Sequence, residues 1–406
     1  MVRPVIVIAV AWLLPTVAVH AETTPAFPEL LAEAAGAPTP MASAAALDAA
    51  RARQAQARAW NNPELGFTVE NFGGPGPNQG GEQTQTTLSV GQTFELGAKR
   101  QARMAAAGAD VTAAEARGNL SRTDYAARLA ISYAEAEAAS RRVALVSDAL
   151  AAAETDARAT SLLVEAGKEA PLRSLQASAE ADRSRAELAA AKAGETAAFA
   201  RLTALAGAPR PFDRIAVSLL DAPALATPAQ PDSTATLAAA AAERDAAGAR
   251  LRAARASAFP DVKVSAGVRR YDQTDRSAFV AGVSVPLPLF NRNSGGIAEA
   301  QAELHSAEAR LRQAQFDAEA DRRVAEAQSE SARARMVAAQ SAERAATEAY
   351  RLARTGYDAG RLPLLELTSA RRALAEARGR TLDAQLDRVK AEAELARLAG
   401  RTPFGT

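Results

Sequence analysis

A set of landmarks recurs in this chain at a spacing of about 195 residues. SVGQTFELGAKRQARMAAA, Ser89 to Ala107, closes an alternating stretch at Phe94 and opens a long helical pattern after Gly97. SVPLPLFNRNSGGIAEAQAEL, Ser284 to Leu304, does the same through Pro286, Pro288, Phe290, Asn291 and Asn293, with the helix starting at Ile297. Pro63 in NNPELGF matches Pro260 in AFPDVKV. EAGKEAPLRSL, from Glu165, matches DAGRLPLLEL, from Asp358, and LAGAP at Leu205 matches LAGRTP at Leu398. The matched residues are Pro, Gly, Phe and Leu rather than the abundant Ala, so composition does not explain their common order. An internal duplication fixes architecture before any local assignment, and here it makes two halves of one structure. The expected boundaries are a signal peptide over 1–21, a first repeat over 22–208, a linker over 209–232 and a second repeat over 233–406.

Each half carries one hairpin. ELGFTVENF places Leu65, Phe67 and Val69 on one side, a turn-rich GGPGPNQGG follows, and TTLSVGQTF alternates again, giving a hairpin over about 64–95. The second hairpin, about 261–286, alternates Val262, Val264, Ala266 and Val268 with Lys263 and Ser265, then returns through Phe279, Ala281, Val283 and Val285. Strands of this length suit a tilted transmembrane strand of about 9–11 residues; a small soluble sheet has the same alternation. In the membrane reading Leu65, Phe67, Val69, Val262, Val264 and Val268 face lipid or neighbouring strands, and their alternates face a lumen.

Each hairpin feeds a helix of some 60 residues without an internal proline, about 98–164 and about 297–357, or roughly 90–100 Å at 1.5 Å per residue. A helix so long requires a coiled-coil neighbour. Leu129, Ala136, Val143, Leu150, Ala157 and Val164 supply a seven-residue seam in the first, and Leu304, Leu311, Ala318, Ala325, Ala332, Ala339, Ala346 and Ala353 in the second. The helices end at Gly-containing tips, about 165–171 and about 358–363, where return helices of about 35 residues begin. A return helix plus a lead-in helix, Met41–Trp60 or Ser233–Phe259, roughly equals one long helix. The expected shape is a tall helical cylinder with strands at one end. Four strands cannot close a barrel with a lumen, and open edges are not tolerated in lipid, so a membrane sheet demands oligomerisation; three copies give twelve strands.

The N-terminus, MVRPVIVIAVAWLLPTVAVHAET, has Arg3, an apolar run from Val5 to Val19 and a small residue at Ala21, the pattern of a cleaved export signal. Cysteine is absent, which excludes disulfides, thiolate metal sites and an acylated N-terminal cysteine. With 48 basic and 47 acidic side chains the net charge is +1, so no nucleic acid is expected as partner. The only histidine beyond the signal, His305, lies on a charged helix and reads as solvated. Neither a nucleophilic triad nor a histidine-rich zinc site is available, no phosphate loop occurs, and no enzyme activity or cofactor is expected. Acidic pairs such as Glu135 and Glu137 read as charges on a wet helix face.

At these residues the chain resembles the outer membrane efflux protein (TolC) family, over about residues 40–404. NPELGFTVENFGG, QTFELGAKRQAR, SVPLPLFNRNSGGIAEA and YDAGRLPLLELTSARRALAEAR are most similar to its cobalt–zinc–cadmium branch. The resemblance implies a mainly α fold with a small β part. That fold is a homotrimer with a 12-stranded outer-membrane β-barrel continued by a periplasmic α-helical coiled-coil tunnel. It implies a passive exit duct for heavy-metal cations, served by a periplasmic adaptor and a proton-driven inner-membrane pump of the resistance-nodulation-division class. Drug efflux and type I secretion are the alternatives within the family; a periplasmic coiled-coil structural protein without a pore is the alternative outside it. The family's adaptor-docking tips fall on Gly167, Lys168, Gly360 and Arg361. Its acidic periplasmic entrance falls on Glu366, whereas Ser369 and the first-half position near Ser174 are neutral, so any acidic ring here is thin.

Overall fold

The computed structural model describes residues 22–74, 76, 83–223 and 234–404. The signal-peptide reading and the tip of the first hairpin loop lie outside the described residues, as does the second half of the linker. The described elements are β1 (Glu22–Thr24), α1 (Phe27–Glu33), α2 (Pro38–Ala57), β2 (Glu64–Glu70), β3 (Gln85–Phe94), α3 (Lys99–Glu165) and α4 (Pro171–Ala206). After them come β4 (Phe212–Ile215), α5 (Ala235–Ala256), β5 (Val262–Tyr271), β6 (Arg276–Ser284), α6 (Ser294–Asp358) and α7 (Leu364–Leu398).

The backbone repeats as the sequence does. Ala98 and Asn293, just before the two long helices, both adopt positive φ, 59° and 57°. Gly167 and Gly360 end those helices at φ 67° and 68°, and Gly207 and Gly400 end the return helices at 66° and 67°. Left-handed residues at helix C-termini let the last carbonyls find donors. Lys168 N–H donates to the Leu163 carbonyl and Arg361 N–H to that of Gly356, both at 2.8 Å.

α3 and α6 have 67 and 65 residues, about 100 Å each. The short helices stack end to end to match them. A Cβ on Gly207, at the end of α4, would lie 3.2 Å from Ala37 at the start of α2. One on Gly400, past α7, would lie 3.9 Å from Ala235 at the start of α5. Four columns result, and their packing orders them as α2 with α4, then α3, then α5 with α7, then α6. Every residue of both seven-residue seams is buried or half-buried. Alanine suits such seams because it adds no side-chain entropy cost and lets helices approach closely. Among the described residues no helix is long and apolar enough to cross a membrane.

The sheet follows the same order, β2–β3–β5–β6, all antiparallel. Phe67, Leu88, Val268 and Phe279 form one cross-strand row, and Leu65, Val90, Ala266 and Ala281 the next. Directly paired residues share a face, so the alternation read in each strand adds up to one apolar face. The other face carries Gly66, Ser89, Gly91, Ser265, Gly267 and Gly282. A Cβ on Gly267 would lie 2.4 Å from the Leu88 carbonyl oxygen. That crowding accounts for the small residues on the polar face, which is also the more buried of the two in β3, where Thr87 and Gly91 are buried and Leu88 and Val90 exposed.

The linker and the segment after residue 21 are more ordered than the sequence indicates. β4 lies within the expected linker and pairs in parallel with β1. Phe27 and Leu30 of α1, Leu219 and Leu220 of the connector, Leu129 and Tyr133 of α3, Leu202 of α4 and Val389 of α7 make the largest buried cluster. Tyr133 donates to the Val217 carbonyl at 2.7 Å and meets Phe27 edge to face, centroids 6.0 Å apart. This belt sits at mid-height, where the short helices abut.

One charge assignment is corrected here. Glu137 is buried, not on a wet face. Its carboxylate accepts from Leu219 N–H (2.8 Å), Leu220 N–H (3.1 Å), Ser218 Oγ (2.6 Å) and Arg141 (2.7 Å). Arg388, also buried, donates to the Leu220 carbonyl at 2.9 Å and pairs with Glu392. Sequence spacing treats Glu135 and Glu137 alike, but only Glu137 meets the returning connector. Replacing Glu137 with Ala strands two buried backbone donors, so a loss of about 2–6 kcal/mol is expected at about 1–3 kcal/mol each. The urea midpoint of the purified protein reads this, and a midpoint equal to wild type would remove Glu137 from the latch. Arg141, hydrogen-bonded to Asp221, holds that carboxyl below the usual range. The pair therefore stabilises the connector above the unfolded-state pKa, and this is lost as pH falls through the lower folded-state pKa. The protection factors of the Leu219 and Leu220 amides, exchange rates taken relative to the unstructured rate at the same pH, should fall in acid.

Candidate functional site

The end of the helical layer remote from the strands is built by two hairpins. In each, a long helix stops at a left-handed glycine and a return helix starts within a few residues. Nothing lies within 4 Å of a Cβ placed on Gly167 or Gly360. Glycine is therefore required there by the backbone alone. Lys168 and Arg361 follow the glycines, and both side chains are exposed.

Glu366 stands in the first turn of α7, exposed and without an ion pair to any described residue. A carboxylate at a helix N-terminus is favoured by the helix dipole. The structure corrects its first-half counterpart. Arg173 N–H bonds back to Ala170 as Glu366 N–H does to Pro363, at 2.9 and 3.1 Å, and the burial of α4 and α7 matches in that register. The equivalent of Glu366 is thus Arg173, not Ser174. The four-residue spacing from Gly167 to Pro171 against three from Gly360 to Pro363 hides this by one position. Arg173 is also exposed and forms no ion pair with any described residue.

Between the two hairpins lies a cleft of about 1240 Å³ lined by α3, α4, α6 and α7. Two ion pairs span it: Arg371 of α7 with Asp156 of α3, and Arg372 of α7 with Glu180 of α4 at 3.2 Å. Arg371 and Asp156 are half-buried, so their attraction is less screened than that of exposed pairs. Sequence reasoning missed both pairs. Asp156 and Arg371 are 215 residues apart, and one sequence carries no signal for such a contact.

The strand end carries the other expected residues. Leu65, Phe67, Val69, Val264 and Val268 are exposed on the apolar face, with Val262 half-buried on the same face. Phe279 is 93% exposed beside them. The polar face holds Glu64 paired with Lys263 at 2.6 Å and Glu70 with Arg269 at 3.0 Å. His305 is exposed and meets Gln301 at 2.9 Å. Among the described residues no group of three or more His, Asp or Glu could hold a metal ion.

The sequence matches the family described as outer membrane efflux protein over residues 33–208 and 232–401. It is 42% identical over 396 residues to the nickel-cobalt-cadmium resistance protein NccC of Alcaligenes xylosoxydans xylosoxydans, covering 97% of this chain and 90% of the relative. It is 43% identical over 323 residues to the nickel and cobalt resistance protein CnrC of Cupriavidus metallidurans, covering 79% and 77%. It is 31% identical over 371 residues to the cobalt-zinc-cadmium resistance protein CzcC of the same species, covering 89% and 86%. The fold is similar to those of CusC (TM-score 0.75, 18% identity, 92% of each chain) and the Campylobacter jejuni CmeC outer membrane channel (0.78, 12%, 100% and 95%).

The tip geometry makes a definite prediction. Gly360→Ala should cost about 1–2 kcal/mol through the left-handed backbone alone, and Asp156→Asn should free α7 from α3. Hydrogen exchange in the first turns of α7 should rise in both variants while the strands stay protected. Unchanged exchange in Asp156→Asn would show that the ion pair does not hold the cleft.

Proposed function

The chain belongs to the outer membrane efflux protein family, and from that premise we propose that it is the outer-membrane exit duct of a tripartite system exporting heavy-metal cations. One observation carries the reading. A sheet whose apolar face is largely exposed continues into a helical layer about 100 Å long, and sheet and layer run in the same order to the same two free edges. Such a layer is complete only when rolled into a closed wall.

Closure comes from copies of the chain, and three copies give the twelve strands of an even-numbered barrel. The free side of α6 supports this. Ala302, Ala309, Phe316, Ala327, Ala334 and Leu352 are all exposed and recur at helical spacing. α4 at the other edge presents Ala186, Ala190, Ala193, Ala197 and Ala200 in the same way. In that assembly Leu65, Phe67, Val69, Val262, Val264 and Val268 face lipid or the neighbouring copy, and the polar face lines the lumen. Export by the signal peptide precedes assembly in the outer membrane. Gly167, Lys168, Gly360 and Arg361 form the tips that meet a periplasmic adaptor, itself bound to a proton-driven inner-membrane pump.

The cargo assignment rests on the named metal-resistance relatives. The chain has no cysteine and no clustered donors among its described residues, which accords with a conduit that conducts ions without chelating them, the role of a family of channel proteins. Glu366 lines the periplasmic entrance. With Arg173 at the equivalent position, the ring alternates sign instead of being thinly acidic, and cation preference reflects the balance of the two.

Two measurements test this. In a strain lacking the gene, the intact chain should restore nickel and cobalt resistance, and Val264→Arg should not. A charge on the lipid face costs up to about 2–4 kcal/mol at the membrane midplane and less toward the interfaces, so Val264→Arg should assemble less well than wild type. Assembly like wild type would overturn the strand assignment, and drug resistance without metal resistance would overturn the cargo. In planar bilayers Glu366→Gln should lower cation selectivity and Arg173→Gln should raise it. Both effects should fade as the Debye length falls from about 10 Å at 0.1 M to about 3 Å at 1 M salt. Identical reversal potentials at low salt would take both residues out of the pathway.

A further inference from the structure

We infer that Lys263 and Arg269 govern how ions pass the sheet: they mask the carboxylates of Glu64 and Glu70, which uncovered would concentrate the exported cation and slow its exit. This rests on the reading that puts the polar face of the sheet on the lumen, and it names the residues of that face that act on the cargo. The two pairs repeat one arrangement. In each, the cation stands on β5 and the carboxylate on β2, with the width of β3 between them. Lys263 meets Glu64 at 2.6 Å, and Arg269 meets Glu70 at 3.0 Å. Glu64 and Glu70 are six residues apart, as are Lys263 and Arg269. An even step keeps both pairs on one face, about 20 Å apart along the strands at roughly 3.4 Å per residue.

β3 is built to let the cations across. Gly91 lies directly opposite Glu64, and a Cβ placed on it would meet Lys263 Cε at 2.9 Å and Nζ at 3.8 Å. The lysine stem therefore runs over the glycine backbone. At the outer pair Arg269 crosses Thr87, donating from Nε to its Oγ1 at 3.0 Å and from Nη1 to Gln85 Oε1 at 3.3 Å. Between the pairs the face carries only small neutral residues, among them Thr68, Ser89 and Ser265. All four charged side chains are partly exposed, and ion pairs of that kind add little to stability. Folding therefore does not explain why charges stand on this face, whereas ion passage does. In a lumen walled by protein, uncompensated carboxylates focus the field and raise the local concentration of cations. With Glu64 and Glu70 both paired, no bare carboxylate remains on the polar face among the described residues. Its one charge without an ion pair to any described residue is Arg276, a cation at the outer end of β6.

The test uses the full-length assembled protein in planar bilayers at about 0.1 M potassium chloride, where the Debye length is about 10 Å, with nickel ion added as the probe. Lys263→Gln uncovers Glu64. It should lower the nickel concentration that halves the potassium current by about tenfold or more, the low end of focusing by a cleft of one sign. Adding Glu64→Gln should restore the wild-type value, and Lys263→Arg should leave it unchanged. A structural defect would not be repaired by removing the second member of the pair. Because the chain lacks cysteine, Ser265→Cys treated with an anionic methanethiosulfonate reports independently whether the polar face lines the pore. Equal half-block in wild type and Lys263→Gln, with the Ser265→Cys current stopped by the reagent, overturns the inference and leaves the lumen assignment standing. A shift in Lys263→Gln that Glu64→Gln does not reverse overturns it as well. If the reagent leaves the Ser265→Cys current unchanged, the lumen assignment falls and the inference with it. Should Lys263→Gln fail to assemble, Arg269→Gln with and without Glu70→Gln gives the same readings at the outer pair.

Discussion

In hydrocarbon, an unpaired backbone N–H or C=O group costs several kcal/mol, and β2 and β6 each present a row of them. The rest of the molecule is arranged around these two edges. β3 and β5 pair in the centre, so the two hairpins form one sheet instead of two, and the edges are reduced to the outermost strands. The helical columns repeat the order, with α2 and α4 above one edge strand and α6 above the other. Edge therefore sits over edge along the whole length, and a single kind of contact between copies completes strands and helices together.

The helical layer is thin, so its stability depends on places where more than two elements meet. At mid-height the ends of α4 and α7 abut the starts of α2 and α5, and the stacked columns have a discontinuity there. The connector, β1 and α1 fill it with Phe27, Leu30, Leu219 and Leu220. Glu137 and Arg388 then satisfy connector backbone groups that burial would otherwise leave unpaired. A buried charge is tolerated where it is fully hydrogen-bonded, and here it fixes where a chain of irregular conformation lies.

At the tips the balance is reversed. Few residues are buried, glycines turn the chain, and the hairpins are joined across a cleft by Arg371 with Asp156 and by Arg372 with Glu180. Ion pairs across open space are weaker than packed cores and sensitive to salt and charge. The wall itself carries no clustered metal ligands among its described residues. Glu366 and Arg173 stand exposed at equivalent positions of the two tips, as charges of opposite sign.

The sequence alone determined the duplication, the four strands and their faces, the long helices with their seams, and the glycine tips. Each rests on short-range periodicity or on residues with special backbone preferences, and these are written locally. It also carried the family through its junction motifs. Tertiary structure decided what depends on distant residues meeting. It moved Glu137 from a wet face to a buried latch, because only folding brings Leu219 and Leu220 to it. It gave the connector a strand, because β4 forms only when β1 is beside it. It replaced Ser174 with Arg173 opposite Glu366, because the two tip prolines stand one position apart relative to the helix starts, and only the helix starts show which residues correspond. The pairing of Asp156 with Arg371 belongs to the same class: two ordinary charges in sequence, joined only because α3 and α7 converge.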